Sequence, residues 1–92
     1  MHVLQIEYPV PDYDAWKAAF DADVLDREKS SVRRYRILRP LDDPNYVMID
    51  LEFDGPSEAE AYHAALRDLY SRATVMRDPR ARTVEVVESK EY

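Results

Sequence analysis

The chain has 92 residues, 19 Asp and Glu against 13 Lys and Arg, a formal net charge of −6 and no cysteine. One domain of this length buries only about 60–65% of the surface its unfolded chain exposes, and without cysteine it has neither disulfides nor thiolate metal sites to support that thin core. The acidic balance disfavours nucleic acid, no apolar run reaches the roughly 20 residues of a membrane span, and His2 and His63 are too far apart in sequence to suggest a zinc site.

The first element, "HVLQIEY" (2–8), alternates, with Leu4, Ile6 and Tyr8 on one face and Val3, Gln5 and Glu7 on the other, so a half-exposed strand is expected. The segment lacks the charged start and apolar core of a signal peptide, and a cytoplasmic location is the expectation. "VPDYDAWKAAFDADVLDREKS" follows. Asp12 suits an N-cap, and Tyr13, Trp16, Phe20 and Val24 recur at helical spacing, predicting an amphipathic helix over about 12–28. "VRRYRILR" (32–39) and "NYVMIDLEF" (45–53) read as a hairpin around the turn cluster "PLDDPN". The only glycine, Gly55, precedes a second helix, with Ser57 and Glu60 fitting a capping box and Ala59, Tyr62, Leu66, Leu69 and Ala73 its apolar face. "TVMRDPRA" reads as an irregular connection and "RTVEVVES" (82–89) as a last strand.

The order β-α-β-β-α-β is the ferredoxin-like arrangement, an α+β fold whose four-stranded antiparallel sheet carries both helices on one face. Val47, Ile49, Leu51 and Phe53 then face the helices, joined by Leu4, Ile6, Tyr35 and Ile37. The open face receives Gln5, Glu7, Arg34, Arg36, Asp50, Glu52 and, from the last strand, Glu85 and Val87. If the hairpin closes without a bulge, Arg36 lies opposite Asp50 and Arg34 opposite Glu52, a ladder of complementary pairs worth roughly 0.2–1 kcal/mol each. Val3, Val32, Leu38 and Met48 interleave with these charges. Such a face suits packing on a copy of itself, and the thin core also favours a homodimer. A solvated polar face is the other reading.

"VPDYDAWKAAFD" after a first strand, then "YRILRPLDDPNYVMIDLEFD", resembles small proteins of the dimeric α/β-barrel superfamily, within it the antibiotic-biosynthesis-monooxygenase-like group. The resemblance covers about residues 3 to 88. It implies a homodimer whose sheets face each other, and activities such as cofactor-independent oxygenation of polyphenols, haem degradation, or isomerase and cyclase steps. The chain departs from glycine-rich members: Ser30-Ser31 stands where a glycine often precedes the second strand, and 74–80 has no glycine.

Trp16 has two readings, a core aromatic or the wall of a ligand pocket between helices and sheet, and the core role is the expected one. With Tyr8, Phe20, Tyr35 and Tyr62 it would line an aromatic slot for a flat small molecule, though these aromatics are first expected to be core; His63, beside Tyr62, is the remaining pocket candidate. On the other face Arg34, Arg36, Met48, Asp50 and Glu52 are the dimer-face candidates. Asp50 and Glu52 do not suggest an acid/base pair, because the arginines keep both ionised. There is no Ser-His-Asp set, phosphate-binding glycine loop or helical metal pair. RNA-recognition domains share the element order, but where they stack bases on aromatics this chain has Gln5, Glu7, Asp50 and Glu52. Neither metal nor other cofactor is expected. The function stays open between a cofactor-independent oxygenase-like or cyclase-like enzyme on an aromatic or polyketide-like molecule and a non-catalytic binding or accessory module.

Overall fold

Alternation of apolar and polar residues builds the first strand, β1 (His2–Pro9), and the third, β3 (Tyr46–Phe53); both run eight residues and lie side by side. The structure, a computed structural model, describes residues 1–72 and 79–92. Helix α1 (Tyr13–Asp21) follows β1, β2 (Arg34–Leu38) precedes β3, and α2 (Pro56–Arg72) and β4 (Arg80–Glu85) complete the chain. The sheet order is β2-β3-β1-β4, with every neighbouring pair antiparallel. This is the ferredoxin-like α+β fold. No helix among the described residues is long and apolar enough to cross a membrane.

The core lies on one side of the sheet. Leu4, Ile6, Tyr8 and Val10 meet Val47, Ile49, Leu51 and Phe53, and α2 closes over them with Ala59, Tyr62 and Leu66. Central strands are covered fully, edge strands less so. Tyr35 and Ile37, expected in the core, sit on edge strand β2; Tyr35 is 43% exposed and Ile37 half-buried, because α1 ends before it can cover them.

Helix α1 starts as its sequence implies. Asp12 is extended (φ −154°) and accepts from the backbone N–H of Ala15 at 2.9 Å, and Asp14 lies in the first turn. The helix stops at Asp21 rather than near residue 28. Asp23 adopts φ 53° and its carboxylate accepts from the Arg27 N–H, a local alternative to the helical bond. Val24, expected on the apolar face, is therefore 71% exposed. A second short turn follows and ends at Ser31, φ 72°, where Ser31 N–H reaches Glu28 O and Val32 N–H reaches Arg27 O. That bonding is a Schellman closure. It turns Val32 inward against the core, although strand parity had put it on the open face.

Two further boundaries differ. Helix α2 begins at Pro56, which fits a first helical position because its missing N–H is not needed there, and Ala59 N–H bonds Gly55 O. Ser57 is thus inside the helix, contacting Glu58, and forms no capping box with Glu60. Strand β4 starts at Arg80, and its pairing with β1 puts Arg80, Arg82 and Val84 opposite Glu7, Gln5 and Val3. The open face of β4 therefore holds two arginines and Val84 rather than Glu85 and Val87; valines on both parities of "TVEVV" left that register ambiguous. Ala73 and most of the expected connection over 74–81 lie outside the described residues.

Candidate functional site

On the open sheet face β2 pairs with β3 in the register of the charge ladder. Arg34 lies opposite Glu52 and Arg36 opposite Asp50. Arg34 bonds Glu52 through Nε and Nη2, and Arg36 Nη2 bonds Asp50 at 2.9 Å. The Arg34 hydrogen bond and charge hold the Glu52 carboxyl below the usual carboxylate range, against a smaller opposing effect of burial. Met48 lies opposite Leu38 and Glu7 in the next row. These groups are paired with one another.

The helix side offers a different kind of surface. Helix α1 has no buried residue and reaches the sheet only through its large side chains. The space beneath it is a cleft of about 500 Å³, within the range of small-molecule pockets. Its floor is Ile6, Tyr8, Ile49 and Leu51; Trp16 and Phe20 of α1 form one wall, Tyr62, Leu66, Leu69 and Tyr70 of α2 the other. Leu25 and Arg27, from the segment between α1 and β2, close one end.

Spacing on α1 makes the aromatic wall continuous. Trp16 and Phe20, one turn apart, stack with ring centres 5.1 Å apart. The indole Nε1–H of Trp16 donates to the Tyr8 hydroxyl at 2.5 Å, and Tyr8 meets Tyr70 edge to face at 6.4 Å. Burial raises the Tyr8 phenol, with the Trp16 bond acting the other way. Burial raises Tyr70 far above its ordinary range, and burial also raises Tyr62, where the Arg27 charge opposes it. All three are therefore protonated hydrogen-bond donors at neutral pH.

The sequence-level pocket candidates separate. Trp16, Phe20 and Tyr62 come together on the cleft wall, with Tyr8 on its floor. Tyr35 is not among its lining residues; it packs edge-on against Phe20, ring centres 5.0 Å apart. His63 is half-buried on α2 outside the cleft, its pKa lowered by burial and by Arg67. The sequence reading missed Arg27 and Tyr70. Tyr70 follows Tyr62 and Leu66 at helical spacing, which was a usable signal. Arg27 was hidden because the helix was extended through it.

The fold and cleft define a ferredoxin-like protein with an aromatic pocket between its helices and sheet. No protein-family model matches the sequence, and no curated protein matches it. Solved structures do share the fold. A Deinococcus radiodurans protein assigned as an antibiotic biosynthesis monooxygenase has TM-score 0.66 at 11% identity, covering 100% of this chain and 98% of its own. An MhuD variant with two manganese protoporphyrin IX bound per active site has TM-score 0.69 at 17% identity, covering 100% of both chains. A dimeric ferredoxin-like protein from an uncultured marine organism has TM-score 0.66 at 13% identity over 97% of each chain. The structural neighbours of this chain are thus antibiotic-biosynthesis-monooxygenase-like ferredoxin-fold proteins.

Proposed function

We propose that the protein binds a planar aromatic molecule in the cleft between α1, α2 and the sheet, and acts on it as a cofactor-independent oxygenase-like enzyme. The observation that supports this is the aromatic cleft itself. Flat walls from Trp16 and Phe20 suit a fused-ring ligand, and the Tyr8 and Tyr70 hydroxyls can donate to a ligand oxygen. In such a reaction a substrate methylene becomes a carbonyl. One atom of dioxygen enters as the carbonyl oxygen, the other leaves as water, and the substrate carbon supplies all four electrons. Phenolic donors held neutral would favour the oxyanion that develops on the substrate.

A metalloporphyrin, of the kind one neighbour holds as manganese protoporphyrin IX, does not fit this donor set. Neither His2 nor His63 is among the residues lining the cleft, and the phenols there are held protonated. No step is assigned to it.

The working unit in this reading is a homodimer joined through the open sheet face, in keeping with the dimeric neighbour. A binding module without chemistry is the second reading; it is favoured by the lack of any histidine, the usual general base, on the described cleft wall. Oxygen uptake separates the two. Purified protein with anthrone-type substrates should consume dioxygen and form the carbonyl product without added metal or flavin. Binding of the same compounds with no uptake above the buffer rate would leave the module.

A further inference from the structure

Arg27 is a charged group that the fold has taken trouble to place. Its side chain is only 14% exposed in a surface segment, on a chain whose other arginines on the sheet are largely exposed. The guanidinium lies over the Phe20 ring at 3.9 Å and faces Tyr35 at 5.1 Å. Its ion pair with Asp23 is a single loose contact, Nε to Oδ1 at 3.5 Å. A guanidinium has five N–H donors in a fixed fork, and withdrawing it from water is unfavourable unless those donors are used. Two aromatic faces, the nearby Tyr62 hydroxyl and one 3.5 Å contact with Asp23 still leave N–H donors of the fork unused.

The backbone around it is fixed. Asp23 and Asp26 both adopt left-handed φ, 53° and 51°, and the Arg27 N–H is bonded to the Asp23 carboxylate at 2.9 Å. Arg27 O in turn accepts from Val32 in the Schellman closure. Arg27 is thus held from both sides at one end of the cleft, the one cation among its described lining residues. The rest of that described lining is apolar or phenolic except for Asp12, whose carboxylate is engaged as the N-cap of α1.

We propose that Arg27 recognises an acidic oxygen group on the cleft's ligand, so that the protein selects planar aromatic carboxylates, or phenols of comparable acidity, over neutral aromatics. This deepens the aromatic-ligand reading and rests on it. The ring system would lie along Trp16 and Phe20, and the anion would take the free edge of the guanidinium, where two parallel N–H donors match a carboxylate. Asp23 remains on Nε and orients the fork.

The test compares 2-naphthoate with 2-naphthamide, which have the same ring and differ in charge. Binding is read from the indole N–H resonance of Trp16, the only tryptophan in the chain. Naphthoate should bind about tenfold more tightly or better, the ordinary worth of a charge-assisted hydrogen bond. Raising salt should weaken naphthoate and leave naphthamide unchanged. In Arg27→Met the preference should collapse to near unity with naphthamide affinity retained, and Arg27→Lys should keep part of it. Equal affinities in the unaltered protein would overturn the proposal while leaving the aromatic cleft standing. So would a naphthoate preference that survives Arg27→Met. If neither compound moves the indole resonance at millimolar concentration, the cleft reading fails and this inference with it. Should Arg27→Met not fold, the naphthoate-to-naphthamide ratio and its salt dependence in the unaltered protein decide.

Discussion

Trp16 unites the two roles that its sequence left open. It packs against the core, yet one side lines the cleft and its N–H is tied to Tyr8. Truncating a fully buried tryptophan costs about 3–5 kcal/mol, but here the lost volume adjoins space that already exists. Trp16→Ala should therefore cost about 2 kcal/mol, and Trp16→Phe, which keeps a ring and loses the hydrogen bond, about 1 kcal/mol; urea denaturation followed by circular dichroism measures both. The phenols make a second prediction. Tyr8, Tyr62 and Tyr70 have folded pKa values raised by burial above their unfolded 10. Their stabilisation is complete below pH 10 and is lost as pH rises beyond it, because the unfolded chain gives up those protons first. Alkaline unfolding should accordingly start above pH 10, and Tyr70→Phe should move its midpoint upward. A midpoint unmoved by that substitution would mean Tyr70 is not the buried group shown here.

Among the elements, the segment between α1 and β2 is where sequence and structure part most. The period-2 pattern of "YVMIDLEF" determined β3 and, through the hairpin, the Arg34–Glu52 and Arg36–Asp50 pairs, because a one-residue slip would put charge in the core. No such constraint acts on "DADVLDREKS". Its apolar residues fit a longer helix, and only the aspartates, which compete locally for backbone N–H groups, give the break away. The cleft depends on that break: a helix continuing to residue 28 could not have folded Leu25 and Arg27 back over its end. Tyr35 was misjudged for a related reason, since alternation gives the face of a residue and not whether anything covers an edge strand. Ser31 carries the clearest consequence. It occupies the left-handed position of the Schellman closure, which glycine adopts without penalty. Relief of about 1–2 kcal/mol, set against about 0.4–1 kcal/mol from the freer unfolded chain, predicts that Ser31→Gly stabilises by about 0.5–1 kcal/mol. Chemical denaturation of the two proteins side by side checks the sign.

For the whole molecule, the decisive surface is the open sheet face. Arg34, Arg36, Arg80 and Arg82 stand there against Glu7, Asp50 and Glu52, a nearly balanced set on a chain of net charge −6. Two copies can approach through this face without the repulsion that the remaining acidic surface would impose. The rows are also mixed in character: Arg34 and Glu52 share theirs with Val3 and Val84, while Leu38 and Met48 run into Glu7 and Arg80. A two-fold contact would bury apolar and matched charged groups together, adding the area that so small a core lacks. Light scattering at micromolar concentration should then give twice the monomer mass, and the melting temperature should rise with protein concentration because only the folded state associates. Asp50→Arg tests the charge match. It would place a third cation between Arg36, directly opposite, and Arg82, two strands away in the same row. As a surface substitution in an isolated chain it would cost only about 0.2–1 kcal/mol. In a dimer the same like-charge contact is desolvated and counted twice, once in each half of the interface. The variant should remain folded by circular dichroism, scatter as a monomer, and lose the concentration dependence of its melting temperature. An Asp50→Arg protein that stays dimeric would move the interface elsewhere on the molecule and leave the open face to solvent.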